Sequence, residues 1–299
     1  MTLRCVGQRC QRTIRETVEV HGYGYRTGAA IRVRFRPACP GTGIVFVRTD
    51  VPGAKPISAA VGNVTGTNRR TTLGQPPAQV EMVEHVLAAL HGLKIDNCLI
   101  EINGPELPGL DGSSRDFVRV LCAAGLRIQK AVRNIWAATE AITIVDGRGS
   151  LSLYPASAME LRASYLLDYG QPSPIPAQRQ SAVVGPEGFL NEVASSRTFL
   201  LEAEAEALRG QGFGRNTSPA DLLVFGTRGP INNRLRYADE PARHKILDIV
   251  GDLALFGEDL AGHVVGCRSG HSLNVALVRR LRETMELSSS SVREASRAA

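Results

Sequence analysis

Residues 242–257 read ARHKILDIVGDLALFG. Ile246, Leu247, Ile249, Val250 and Leu253 recur at helical spacing and predict the buried face of a helix over Glu240–Phe256. Pro241 suits its first turn, and Asp239 or Glu240 can cap it. The same segment carries His244, Lys245, Asp248 and Asp252. His244 and Asp248 stand four apart, so they project from one face about one turn apart, with Asp252 a turn further along. That spacing can present an imidazole and a carboxylate to one metal ion. It also suits a solvated ion pair or a cap.

A helix of the same kind is predicted over Ala78–Leu93, with Val80, Val83, Leu87 and Leu90 on its apolar face. Around it the first half reads as strands at 13–20, 30–37 and 43–50, then the helix. A strand at Asn97–Ile102, a turn-rich NGPELPGLDGSS and a helix at Ser114–Ala124 follow. The second half repeats the order: strands at 141–147, 150–156 and 159–170, short helices at Pro186–Asn191 and Leu200–Leu208, and a strand at Asp221–Phe225. Then come the 240–256 helix, a strand at Gly262–Cys267 and a last helix at Ser272–Leu287. Strands followed by helix, strand and helix, given twice, predict an α+β fold of two similar domains. The boundary is expected near Gln129–Arg133, giving residues 1–128 and 129–299. The polar tail SSSSVREASRAA, 288–299, is expected to fray. Gly22, Gly24 and Gly28 read as a hairpin turn, because AIRVRFRP after them alternates like a strand, whereas a phosphate-binding loop opens a helix.

The chain has 299 residues, 43% of them hydrophobic and 21% charged, which supplies a globular core. A net charge of +6 is too mild to mark a nucleic-acid binder; it suits an anionic substrate or transient contact with a membrane surface. Six scattered cysteines without a CxxC point to a reducing, cytoplasmic compartment. Cys98 and Cys122 sit among apolar neighbours and are expected to be core thiols, while Cys5 and Cys10 lack a second ligand pair. No signal segment and no spanning run of roughly 20 apolar residues is expected.

Two more stretches carry chemistry. In VEMVEHVLAAL, Glu84 and His85 interrupt an apolar helix; a buried Glu is costly unless it is paired or in a polar site, although Glu84 can also face water. In RSGHSLNVAL, His271 follows a strand and opens a helix, a placement common for catalytic histidines and equally for capping loops. Two His and one Asp match the three protein ligands of a catalytic zinc. A Glu as base and a further His as acid complete the parts for metal-assisted hydrolysis of an amide or ester.

VEHVLAALHGLKIDN, INGPELPGLDGSS, SRTFLLEAEAEALRGQG, INNRLRYADEPARHKILDIVGDL and SGH occur in this order, and with them the chain resembles the UDP-3-O-acyl-N-acetylglucosamine deacetylase family, the zinc amidases of lipid A biosynthesis. The resemblance covers nearly the whole chain. It implies two α+β domains with helices sandwiched between two sheets, one insert per domain (about 47–70 and 198–222), and an active site at their junction. It implies His85, His244 and Asp248 as ligands of one Zn2+, or Fe2+ in the cell. Glu84 is implied as the base, His271 as the protonated acid oriented by Asp252, and Thr198 as support for the tetrahedral intermediate. Lys245 and Phe199 are implied at the sugar nucleotide, and Leu200, Leu201, Leu208 and Phe213 along a passage for the acyl chain. The implied partner is an acylated UDP-sugar, handled by a cytoplasmic monomer with no nucleic acid. A related zinc amidase on another acylated nucleotide sugar, or a non-catalytic nucleotide-sugar binder, are the alternatives. Three segments depart from the family. Arg26 stands where the G-L-H-S-G turn has histidine, Asn216 and Thr217 stand where its glycine pair falls, and DGSSRDF replaces DGSAxPF.

Overall fold

The computed structural model describes residues 2–298 except 156 and 220, with side chains described through residue 287. The first half contains β1 (Leu3–Ile14), β2 (Val18–Tyr23), β3 (Ala30–Pro37), β4 (Ile44–Arg48), β5 (Ile57–Ser58), β6 (Val64–Gly66), β7 (Thr72–Leu73) and β8 (Val80–Glu81). These lead into α1 (Glu84–Gly92), β9 (Cys98–Ile102) and α2 (Arg115–Ala123). The second half contains β10 (Leu126–Ala138), β11 (Ile142–Asp146), β12 (Gly149–Tyr154), β13 (Leu161–Leu167), β14 (Gln178–Val183) and α3 (Pro186–Gly188), which continues as a π turn to Val193. It then runs through β15 (Phe199–Leu201), α4 (Glu202–Gly210), β16 (Leu223–Gly226), β17 (Gly229–Pro230), α5 (Glu240–Leu253), β18 (Asp259–Cys267) and α6 (His271–Ala298). The architecture is mixed α and β, with several sheets and six α-helical segments among the described residues.

A five-stranded sheet in the order β2-β3-β9-β4-β5 forms in the first half. A seven-stranded sheet joins β1, β10, β18, β12 and β11, with β13 on β18 and β14 on β13. Small three-stranded sheets, β6-β7-β8 and β15-β16-β17, lie in the two expected insert regions or just beyond them. The chain's first strand therefore pairs with a second-half strand, Leu3 opposite Ala138 and Ile14 opposite Leu126. Register shifts at Cys5/Gly7 and Cys10/Arg12 break the alternation that would have revealed β1 in the sequence.

The two central helices differ in how their ends are set. α1 starts at Glu84 rather than Ala78: Val80 and Glu81 pair with β7, and Met82 has a φ of 61°, which no α-helix continues. Every residue of α1 is buried, and α5 is nearly so; α5 packs on α1, β13, β14 and α6. They approach closely at Gly251, where a Cβ would fall 2.1 Å from the Glu84 carbonyl oxygen. Hydrogen alone fits there, and this contact sets the helix that carries Glu84 and His85 against the one that carries His244, Asp248 and Asp252.

Three expectations need correction. Cys98 is buried, but Cys122 is exposed, because α2 turns Phe117, Val118 and Leu121 inward and leaves Cys122 on its outer face. The residues Phe199–Leu201 pair with β16, so α4 begins at Glu202. The last helix continues past Leu287 to Ala298; extending a formed helix costs little, so a polar run can follow without an apolar face. Residue 299 lies outside the described residues. No helix among them is long and apolar enough to cross a membrane.

Candidate metal centre and its cavity

His85, His244 and Asp248 converge, each offering one ligand atom, all within 4.8 Å of one another and all buried. Asp248 Oδ1 lies 3.4 Å from His244 Nε2 and 3.9 Å from His85 Nε2. A tetrahedral ion with bonds near 2.0–2.1 Å separates its ligands by about 3.3 Å, so the donor set fits a small divalent metal. His244 Nδ1 donates to the Ser196 carbonyl at 3.1 Å, which leaves Nε2 as the free lone pair toward the cluster. Asp248 Oδ2 turns the other way and accepts from Lys245 Nζ at 2.7 Å.

Electrostatics keeps these donors in their ligating states. Burial lowers His85 to about 3, with the neighbouring His244 adding to the effect, and burial also lowers His244. Burial would raise Asp248, but Lys245 first, and then the surrounding imidazoles, hold it well below the usual carboxylate range. Neutral imidazoles and an ionised carboxylate are what a divalent cation binds.

Two further groups lie in the same cavity with shifts in the opposite sense. Burial raises Glu84 to about 7. Burial opposes the charge on His271, yet Asp252 outweighs it and the imidazole is pushed up to about 9. His271 Nδ1 donates to Asp252 Oδ2 at 2.8 Å, and Asn274 Nδ2 donates to the same oxygen at 2.9 Å. Thr71 links the two groups: its amide donates to Glu84 Oε2 at 3.0 Å and its hydroxyl to Asp252 Oδ1 at 2.6 Å. Asn274, one helical turn after His271, was in principle visible as an i+3 neighbour. Thr71 carries no sequence signal, because its partners are distant in the chain.

These groups open into a cavity of about 690 Å³ that also receives Thr198, Phe199, Leu200, Leu208, Phe213 and Lys245. Phe199 meets His244 and Tyr169 edge to face, with ring centroids 6.3 and 6.4 Å apart. Thr198 is fixed by its amide, which donates to the Gly112 carbonyl at 2.7 Å. A buried pair holds the whole segment: Arg197 Nε donates to Glu240 Oε1 at 2.8 Å and Nη2 to Oε2 at 3.1 Å, at the start of α5. Leu201 does not line the cavity. It packs on the hydrophobic core while its amide donates to Glu204 Oε2 at 3.0 Å, so it anchors the insert from behind. Asp252 likewise stands behind His271, fully buried.

A buried three-donor cluster that shares one cavity with a carboxyl group and an imidazole defines the class of metal-centred hydrolytic enzymes. Residues 11–283 match the family model described as UDP-3-O-acyl N-acetylglycosamine deacetylase (LpxC). The chain belongs to that family. It is 38% identical over 272 residues to the UDP-3-O-acyl-N-acetylglucosamine deacetylase of Citrifermentans bemidjiense, covering 91% of this chain and 88% of the relative. The protein of that name in Myxococcus xanthus is 38% identical, with 91% and 86% covered. The one in Chlamydia pneumoniae is 38% identical over 282 residues, with 94% and 99% covered.

Proposed function

We propose that this chain hydrolyses the N-acetyl amide of a UDP-3-O-acyl-N-acetylglucosamine, releasing acetate and a free amine, the committed step of lipid A biosynthesis. The carrying observation is that Glu84 and His271, with pKa values of about 7 and about 9, share one cavity with the His85–His244–Asp248 cluster. Those three residues are the ligands in this reading. A Zn2+ held there, or Fe2+ in the cell, would polarise the acetyl carbonyl and lower the pKa of water toward ~7. Glu84, which ionises as pH rises through about 7, takes the proton of the attacking water. The Thr198 hydroxyl and the His271 imidazolium donate to the developing oxyanion. His271 then gives its proton to the leaving nitrogen, with Asp252 keeping the ring charged and oriented. Lys245 and Phe199 hold the sugar nucleotide, and Leu200, Leu208 and Phe213 take the acyl chain.

The reading extends to the molecule as a whole. It places two α+β domains at residues 1–128 and 129–299, with helices sandwiched between their sheets, and β1 crossing to the sheet of the second. It places a monomer in the cytoplasm, in transient contact with a membrane surface where the acylated substrate partitions. Metal analysis and chelation test the central claim. The expected result is about one zinc per chain and loss of deacetylation on chelation, restored by zinc. Full amidase activity after complete metal removal would sink it.

A further inference from the structure

Thr71 is fully buried and does not line the cavity, yet it holds two groups that the proposed reaction uses. Its amide donates to Glu84 Oε2 at 3.0 Å, which leaves Oε1 without a protein donor among the described residues. Its hydroxyl donates to Asp252 Oδ1 at 2.6 Å. The other Asp252 oxygen, Oδ2, accepts from His271 Nδ1 at 2.8 Å and from Asn274 Nδ2 at 2.9 Å. Asp252 is fully buried, and donors divided between its two oxygens fix the plane of the carboxylate. The Thr71 hydroxyl also lies 3.3 Å from His271 Nδ1, a poor rival to the 2.8 Å bond that the ring makes to Asp252.

The backbone gives Thr71 little freedom. Its carbonyl accepts from Val83 N at 3.3 Å, one residue before Glu84, and Thr72 and Leu73 pair with Glu81 and Val80. On the preceding side, Arg70 Nε donates to Glu81 Oε2 at 2.6 Å. Arg69 and Met82 flank this pairing with φ values of 60° and 61°. Non-glycine residues persist in that region only where their surroundings over-determine them, and such positions cluster at active sites. The short strands β7 and β8 thus fasten Thr71 beside the start of α1, while its hydroxyl reaches across to α5. A β-branched side chain is stiff at χ1, so the direction of the hydroxyl follows the backbone. One residue therefore sets the base on α1 and the partner of the imidazole on α5 relative to each other.

We propose that Thr71 is a positioning residue of this site: through Asp252 it sets the His271 ring, and it does so at a fixed offset from Glu84. This rests on the reading of the cavity as a deacetylase centre. Thr71→Val keeps the shape of the side chain and removes the hydroxyl, whereas Thr71→Ser keeps the hydroxyl. The zinc-loaded variants are compared by steady-state kinetics on the acylated UDP-sugar, with rates taken per bound zinc. The His271 ring is followed in the same preparations by nitrogen–proton NMR on histidine-labelled protein. Thr71→Val is expected to lower kcat about 10²-fold, as a misplacement near 1 Å does, with KM kept because Thr71 does not reach the cavity. The signal of the His271 Nδ1 proton is expected to move or vanish, and Thr71→Ser to restore both kcat and signal to near wild type. A brace that serves stability alone would lower the melting temperature and leave kcat and the ring signal as in wild type, and that result overturns the proposal. So does a raised KM with kcat kept, a fall in kcat with an unmoved ring signal, or a moved signal with wild-type kcat. If Thr71→Val does not fold, Thr71→Cys takes its place, because a thiol is a weak donor. Equal kcat in the Ser and Cys variants then overturns the proposal, and a loss confined to Cys supports it. If the wild-type protein does not deacetylate at all, the proposed function ends, and the ring signal alone decides whether Thr71 sets His271.

Discussion

Gly251→Ala tests the contact that joins the two halves of the site. The added methyl would lie 2.1 Å from the Glu84 carbonyl oxygen, 2.8 Å from its carbon and 3.0 Å from its Cα. Real Cβ contacts do not fall below 3.0 Å, so α1 and α5 must separate by about 0.9 Å along this line. Both are main-chain segments inside the core, and no flexible side chain can yield instead. Overpacking of this kind costs about 1–3 kcal/mol. Alanine in a helix interior returns about 1 kcal/mol over glycine. The net loss of stability is then small, about 0–2 kcal/mol, a Tm decrease of a few degrees for a chain of this size. Catalysis is more sensitive. Glu84 and His85 ride on the displaced backbone, while His244 and Asp248 stay with α5. A misplacement near 1 Å costs on the order of 10²-fold in rate. The expected result is a roughly 100-fold fall in kcat/KM with weakened metal retention and a nearly intact melting curve. Deacetylation kinetics, metal content after dialysis and thermal denaturation on the same preparation provide the measurement. Wild-type kcat/KM and metal retention in a folded Gly251→Ala protein would refute the reasoning.

Other perturbations follow from the same geometry. Glu84→Gln removes the proton acceptor and should lower kcat by about 10²–10⁴ while metal content is retained; a smaller loss would mean another group takes the proton. His271, raised to about 9 by Asp252, should set an alkaline limit near pH 9, and Asp252→Asn should move that limit to lower pH in the pH–rate profile. The raised pKa also contributes stability that is fully present below about pH 6.5 and is lost as pH rises through about 9. Denaturant titrations of wild type and Asp252→Asn should therefore differ most at pH 6 and converge by pH 10. Arg197→Ala strands the fully buried Glu240 without its ion partner and should cost about 3–5 kcal/mol in denaturant unfolding, with a loss under 1 kcal/mol contradicting its anchoring role.

The parts of the site that sit on one helix were legible from spacing. His244, Asp248 and Asp252 project from a helix whose apolar face is set by Ile246, Leu247, Ile249, Val250 and Leu253, and α5 spans Glu240–Leu253 within the range expected. The Glu84-His85 pair and His271 stood out because polar residues break apolar runs there. Glu84 was open between water and burial; it is 3% exposed, which only packing against α5 decides. Where local pattern and pairing disagreed, pairing prevailed: β8 displaced the first turns of the expected α1, and β15 the first turn of α4.

Sequence by itself determined the residue types, their helical faces and the family, because those depend on short-range spacing and on the order of long matching segments. Tertiary structure alone decided the rest. Thr71 reaches Glu84 and Asp252 across 13 and 181 positions, Arg197 closes on Glu240 across 43, and β1 pairs with β10 at the start of the second half. Leu201 and Phe199 are two residues apart on one short strand and both pack against the core, yet only Phe199 also lines the cavity. Such outcomes depend on how buried surfaces fit together, and a single missing Cβ at Gly251 lets the base and the ligand cluster share one cavity.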